Sequence, residues 1–164
     1  MAKKPPLPEV EIGVALITRG KTILAVFNPK WSAYSLPMTK RRRWSDPSLA
    51  KGDRSEDWSD TALRAAYECL GRPARISGPL SANAQPIEIA GFSQGDREGL
   101  WKHYRFHVYR VTLEKGEEAA GGQQAIWLSV DQFLDPTFGP ISPTARNVIR
   151  EVQARAKLAG ASFP

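Results

Sequence analysis

The chain has 164 residues, with 23 Lys and Arg against 17 Asp and Glu, for a formal net charge of +6. That length fits one domain, no apolar run is long enough to span a membrane, and the start lacks the apolar core of a secretory signal, so a cytoplasmic location is expected. A single cysteine excludes an internal disulfide and any zinc site built on several thiolates, while the basic excess favours anionic partners.

Residues 1–9 hold Pro5, Pro6 and Pro8 and are expected to form a disordered leader before a single domain over 10–160. From Val10 to Thr18, apolar residues alternate at Val10, Ile12, Val14 and Leu16, predicting a strand. The turn Arg19-Gly20-Lys21 then leads into a second strand over Thr22–Asn28, and the spacing predicts a hairpin. Beyond Trp31 comes Tyr34-Ser35-Leu36-Pro37-Met38-Thr39. Residues 40–54 follow as a basic insert loop, combining Lys40, Arg41, Arg42 and Arg43 with Trp44 and the turn formers Ser45-Asp46-Pro47 and Gly52-Asp53. Two readings stand for this loop. It is a solvated surface, or it recognises an anion through Arg41, Arg42 and Arg43 while Trp44 stacks on a base or ring.

A helix is predicted to start near Ser55 or Asp57. Glu56, Asp57 and Asp60 suit the positive end of its dipole. Trp58, Ala62, Ala65 and Cys69, at i, i+4, i+7 and i+11, form an apolar stripe. Arg64 and Glu68 are spaced for an ion pair, and Gly71 supplies a C-terminal cap before Pro73. Ala65, Glu68 and Cys69 share one helical face within about 100°. A lone cysteine on a small-residue stripe reads as packing, not as a nucleophile.

In the second half, Glu88, Asp96 and Glu98 are candidate acids in and beside a polar loop. A strand from about Lys102 to Leu113 puts Tyr104, Phe106 and Val108 on a core face and His103, Arg105, His107 and Tyr109 on the other. In a strand the two histidines are about 13 Å apart, too far for one metal ion. That face is either solvated or binds an anion through Arg105 with His103 or His107. Ala125–Leu128 reads as a strand, Ser129 and Gln132 as a capping box, and Ser142-Pro143 as the start of a last helix striped by Ala145, Val148, Ile149 and Val152, with Gly160 at its end. Phosphate-binding, dinucleotide-binding and nucleophile-elbow motifs are absent from the sequence.

Glu56, Arg64, Ala66, Glu68 and Gly71 fall in register with G-x5-E-x7-R-E-U-x-E-E-x-G-U, where U is apolar, and the chain therefore resembles the Nudix hydrolases. Tyr34–Thr39 is similar to that family's W-x-L-P-G-G segment, with Met38 and Thr39 where its glycines stand. The run from Trp127 through Arg146 is similar to its closing segment. The resemblance covers roughly residues 10–158. It implies an α/β fold, a Nudix-like α/β/α sandwich with a mixed β-sheet between helices. It also implies cleavage of nucleoside diphosphates linked to another moiety, with Glu68, Glu56 and Arg64 in catalytic positions, Glu68 and Glu56 as metal ligands, and one of Glu88, Asp96 or Glu98 completing the site. Yet Ala65 and Cys69 stand where metal-binding Glu belongs, Ala50 at the leading Gly and Arg72 at the last apolar position. One carboxylate holds hard Mg²⁺ poorly, and a thiol is a poor ligand for it. The first reading is thus a degenerate member that binds a nucleotide-like or phosphorylated ligand, or a partner, with little or no hydrolysis and no cofactor. A divergent Mg²⁺-dependent hydrolase and a nucleic-acid or protein-binding module using Lys40–Trp44 remain as alternatives.

Overall fold

Val14, Ala15 and Leu16 are wholly buried and Ile17 is nearly so, which makes the first strand a central one, apolar on both faces. The computed structural model describes residues 9–45, 53–71, 74–76, 87–94, 101–113, 125–158, 160 and 163. The expected leader over 1–8, the turn formers at 46–52, Pro73 and the acids Asp96 and Glu98 lie outside them. Glu9, assigned to the leader from sequence, instead opens β1 (Glu9–Arg19). The remaining strands are β2 (Thr22–Asn28), β3 (Ala33–Ser35), β4 (Met38–Lys40), β5 (Arg43–Ser45), β6 (Asp53–Ser55), β7 (Ala74–Ile76), β8 (Ile87–Gln94), β9 (Trp101–Leu113) and β10 (Ala125–Ser129). The helices are α1 (Trp58–Leu70), α2 (Val130–Leu134) and α3 (Pro143–Leu158).

The main sheet runs β10-β2-β1-β9-β7, with β3 on β2, β4 on β1 and β8 on β9. It is mixed: β1 and β9 are parallel in register from Glu9↔His103 to Ile17↔Val111, and the other pairs are antiparallel. The predicted hairpin forms at Gly20, whose φ of 58° a side chain would disfavour. Two apolar layers sandwich the sheet. On one face Ala66 and Leu70 of α1 pack on Ala15, Ile17, Leu24, Val26, Val111 and Leu113. On the other, Ala145, Val148, Ile149 and Val152 of α3 pack with Phe133 on Val14, Leu16, Ile23, Phe106 and Val108. The α/β/α sandwich expected from sequence is the observed architecture. No described helix is long and apolar enough to cross a membrane.

The insert does not form a loop throughout. Lys40 ends β4 against β1, and β5 and β6 pair as a separate two-stranded ribbon, Arg43↔Ser55, Trp44↔Arg54 and Ser45↔Asp53. Strands of three residues, Arg-Trp-Ser and Asp-Arg-Ser, are too short to show apolar alternation, so the sequence pattern does not reveal them. The helix keeps its predicted limits: Asp57 is the N-cap, without a side-chain capping bond, and Gly71 closes it in the left-handed conformation with its N–H donating to the Tyr67 carbonyl. The capping box at Ser129 and Gln132 forms as expected.

Candidate functional site

Helix α1, which carries the Arg64–Gly71 end of the motif box G-x5-E-x7-R-E-U-x-E-E-x-G-U and is called the box helix below, is tied to the segment before β5 by Arg64. Its Nε and one terminal nitrogen donate to both oxygens of Glu56, at 3.1 and 3.0 Å. The same terminal nitrogen reaches the Lys40 carbonyl at 2.6 Å, and the other donates to Glu68 at 2.5 Å and to Thr39 Oγ1 at 3.2 Å. Thr39 in turn donates to Glu68 at 3.1 Å. Glu56 also accepts from the Thr61 hydroxyl at 2.8 Å and from the Arg42 backbone N–H at 3.3 Å. A planar fork with five donors suits such bridging between two carboxylates. Burial alone would raise the Glu56 carboxyl, but the bonds from Arg64, Thr61 and the Arg42 N–H outweigh it and hold it at about 2.

Glu56, Arg64 and Glu68 are therefore brought together, as their spacing anticipates. The basic run divides. Arg41 donates to the Glu56 carbonyl at 2.5 Å and to Glu11 at 3.1 Å, and Arg43 also pairs with Glu11. Arg41 and Arg43 are thus matched to a carboxylate, whereas Lys40 and Arg42 are exposed and have no carboxylate side chain paired to them among the described residues. Trp44 is exposed and lies opposite Arg54 on the ribbon.

The strand face carrying His103, Arg105 and His107 is not simply solvated. The His107 imidazole stacks on Trp58 of α1, with ring centroids 3.6 Å apart and planes 8° from parallel, and the Arg41 guanidinium lies 4.6 Å from the Trp58 ring. Arg105 pairs with Glu9 at 3.3 Å. His103 is partly buried four residues before His107 on β9. His107 thus joins β9 to α1, and Arg105 joins β9 to β1. Glu88 sits opposite His107 in the β8–β9 register.

Sequence reasoning missed Glu11, Thr39 and Thr61 as members of this cluster. Thr39 had a signal, since it fills a position that is glycine in the resembling segment. Glu11 gave none beyond its place in a strand. Burial and these two arginines fix its state: desolvation would raise its carboxyl, but Arg43 and Arg41 bring it below the usual range. Glu11→Gln leaves the Arg41 charge, at 18% side-chain exposure, without its counter-ion. We expect a loss of about 1–3 kcal/mol in chemical denaturation, and a loss below a few tenths would show that Arg41 does not depend on Glu11.

No protein-family model and no curated protein sequence matches the chain. Solved structures do match. The MutT protein from Methanosarcina mazei Go1 superposes with TM-score 0.61 at 13% identity, covering 94% of this chain and 99% of that one. A Nudix hydrolase from Nitrosomonas europaea gives 0.56 at 16%, over 96% and 93%, and the E. coli ORF135 protein gives 0.55 at 16%, over 95% and 96%. The chain has the Nudix fold. At these identities the likeness carries the fold alone.

A Nudix fold implies a divalent metal at the box helix, and the donors here do not fit one. Ala65 offers no ligand and is wholly buried. Burial pushes the Cys69 thiol up, against a backbone hydrogen bond with Met38, so the sulfur stays a neutral thiol. Glu68 already shares its two oxygens between Arg64 and Thr39. Among the described residues no three His, Cys, Asp or Glu side chains gather as a metal site.

Proposed function

We propose that this Nudix-fold protein binds a nucleotide-like or otherwise phosphorylated ligand with little or no hydrolysis, and without a resident metal. One observation carries the reading: the Arg64 guanidinium pairs with both Glu68 on the box helix and Glu56 just before it. Phosphoryl hydrolysis on this fold needs charge stabilisation at the transferred group and an activated water. A neutral thiol, a buried alanine and two carboxylates already hydrogen-bonded to protein donors supply neither. Binding is better supported. Arg64 grips the Lys40 carbonyl and Glu56 accepts from the Arg42 N–H, so the network fixes the backbone of two exposed cations beside the box helix. A phosphate set against them gains charge-assisted hydrogen bonds.

Calorimetry and turnover assays test this together. Titration with Mg²⁺ alone is expected to show no site of micromolar affinity. Nucleoside diphosphate sugars, dinucleotide polyphosphates and nucleoside triphosphates should be hydrolysed at background. ADP binding should weaken on Lys40→Gln with Arg42→Gln. A micromolar Mg²⁺ site lost in Glu68→Gln, or robust Mg²⁺-dependent turnover abolished by Glu68→Ala, would establish a divergent hydrolase instead.

A further inference from the structure

We propose that the β5–β6 ribbon is a binding surface for single-stranded nucleic acid, with Trp44 as the stacking platform and Arg54, Arg42 and Lys40 as the phosphate contacts. The inference deepens the phosphate-binding reading by naming a polymeric ligand, and it rests on that reading for the roles of Lys40 and Arg42.

The ribbon is a sheet of its own, outside the main one. Trp44 and Arg54 face each other directly across it, and directly opposed residues share a face. Trp44 is 43% exposed, and the Arg54 guanidinium lies over its ring, 5.5 Å from the centroid. An indole left this open on a short, separate ribbon contributes nothing to either core layer. What it does provide is an exposed indole with a guanidinium over one face, leaving the ring's other face for an unstacked base, a contact that tolerates any sequence. Charge follows the same division. Arg41 turns inward to Glu11 and the Trp58 ring, while Arg42 and Arg54 stay exposed with Lys40 just before them. A strand laid along this edge meets cations in succession with the indole between Arg42 and Arg54. Duplex bases are stacked on each other and cannot reach the indole, so the surface selects single strands. The overall charge of +6 adds long-range attraction.

Fluorescence anisotropy with labelled single strands of about twelve nucleotides, and with the matching duplex, tests the proposal across a salt series. The parent protein should bind oligo-dT and oligo-U with affinity that falls as salt rises. Arg42→Gln should flatten the log–log slope by about 0.7, the share of one phosphate on a single strand. Trp44→Leu should weaken binding about tenfold at every salt concentration with the slope unchanged, and Trp44→Phe should retain most of the affinity. The conservative variant guards against misreading a folding defect, as do unchanged melting temperatures. Superimposable curves for parent and Trp44→Leu, equal affinity for duplex, or no binding at low salt would each overturn the proposal. ADP binding without oligonucleotide binding would remove this inference alone. Oligonucleotide binding without ADP binding would keep the ribbon and remove the small-ligand reading.

Discussion

Arg64→Met is expected to cost about 3 kcal/mol of folding stability, because it removes the donor that Glu56 and Glu68 share while leaving Glu56 nearly buried. The Arg64 side chain is 16% exposed and that of Glu56 is 10%, so water cannot replace the lost bonds cheaply. The pH dependence gives an independent check. Glu56 titrates at about 2 in the folded chain, below the ordinary 4.5. A carboxyl with a lowered folded value contributes stability that is complete above 4.5 and is lost as pH falls from there toward 2. A displacement of that size corresponds to about 3 kcal/mol. The parent should therefore lose stability steeply across that acid window, and Arg64→Met should show a much shallower loss. Denaturant titrations from neutral pH to about pH 3 measure both quantities. Parallel pH curves for parent and variant would mean that Arg64 is not what holds Glu56 ionised.

Gly13→Val should be comparably damaging for a steric reason. Gly13 lies on β1 beneath the first turns of α1, and a Cβ there would sit 2.6 Å from Thr61 Cγ2, 2.8 Å from Thr61 Cβ and 2.9 Å from the Ala62 backbone nitrogen. Thr61 is itself wholly buried, and a helix backbone cannot step aside without unseating Ala62 and Ala66. Overpacking of this kind costs about 1–3 kcal/mol for small additions, so Gly13→Ala should fall in that range and Gly13→Val beyond it. Thr61 also donates to Glu56, which means a displaced helix disturbs the Arg64 network as well. Gly13→Ala with parental stability would show that α1 rides higher on the sheet than these distances state.

Much of the architecture was legible because it obeys local rules. The β1–β2 hairpin follows from apolar alternation broken at Gly20, the α1 limits from Asp57 and Gly71, and the last helix from Ser142-Pro143 and its stripe. The box register correctly joined Glu56, Arg64 and Glu68, since i, i+4 spacing on a helix and an acid just before its start are sequence-local features. What escaped is tertiary. Glu11 meets Arg41 and Arg43 only because β4 folds back onto β1, and Thr39 meets Glu68 only across β4 and α1. Nor could alternation tell that the polar face of β9 would receive Trp58, because a stack of indole on imidazole leaves no periodic trace. The basic run read as one patch, yet pairing splits it: two arginines satisfy an internal carboxylate and the rest face outward.

The parallel union of β1 with β9 also sets a timetable. The partners are separated by about ninety residues, so closing them encloses most of the chain, the kind of non-local contact that slows folding. With synthesis at roughly 5–20 residues per second, β9 follows β1 from the ribosome by on the order of 5–20 s. In that interval β2 and β4 can pair with β1 from nearby, but its other edge, fringed by Val14 to Ile17, stands open to any passing strand. Glu9 and Glu11 sit at the beginning of that edge, and charges at such a place discourage mistaken pairing. When β9 arrives, the Glu9–Arg105 contact spans the seam, so the residues that keep strangers off the edge also help to align its proper partner.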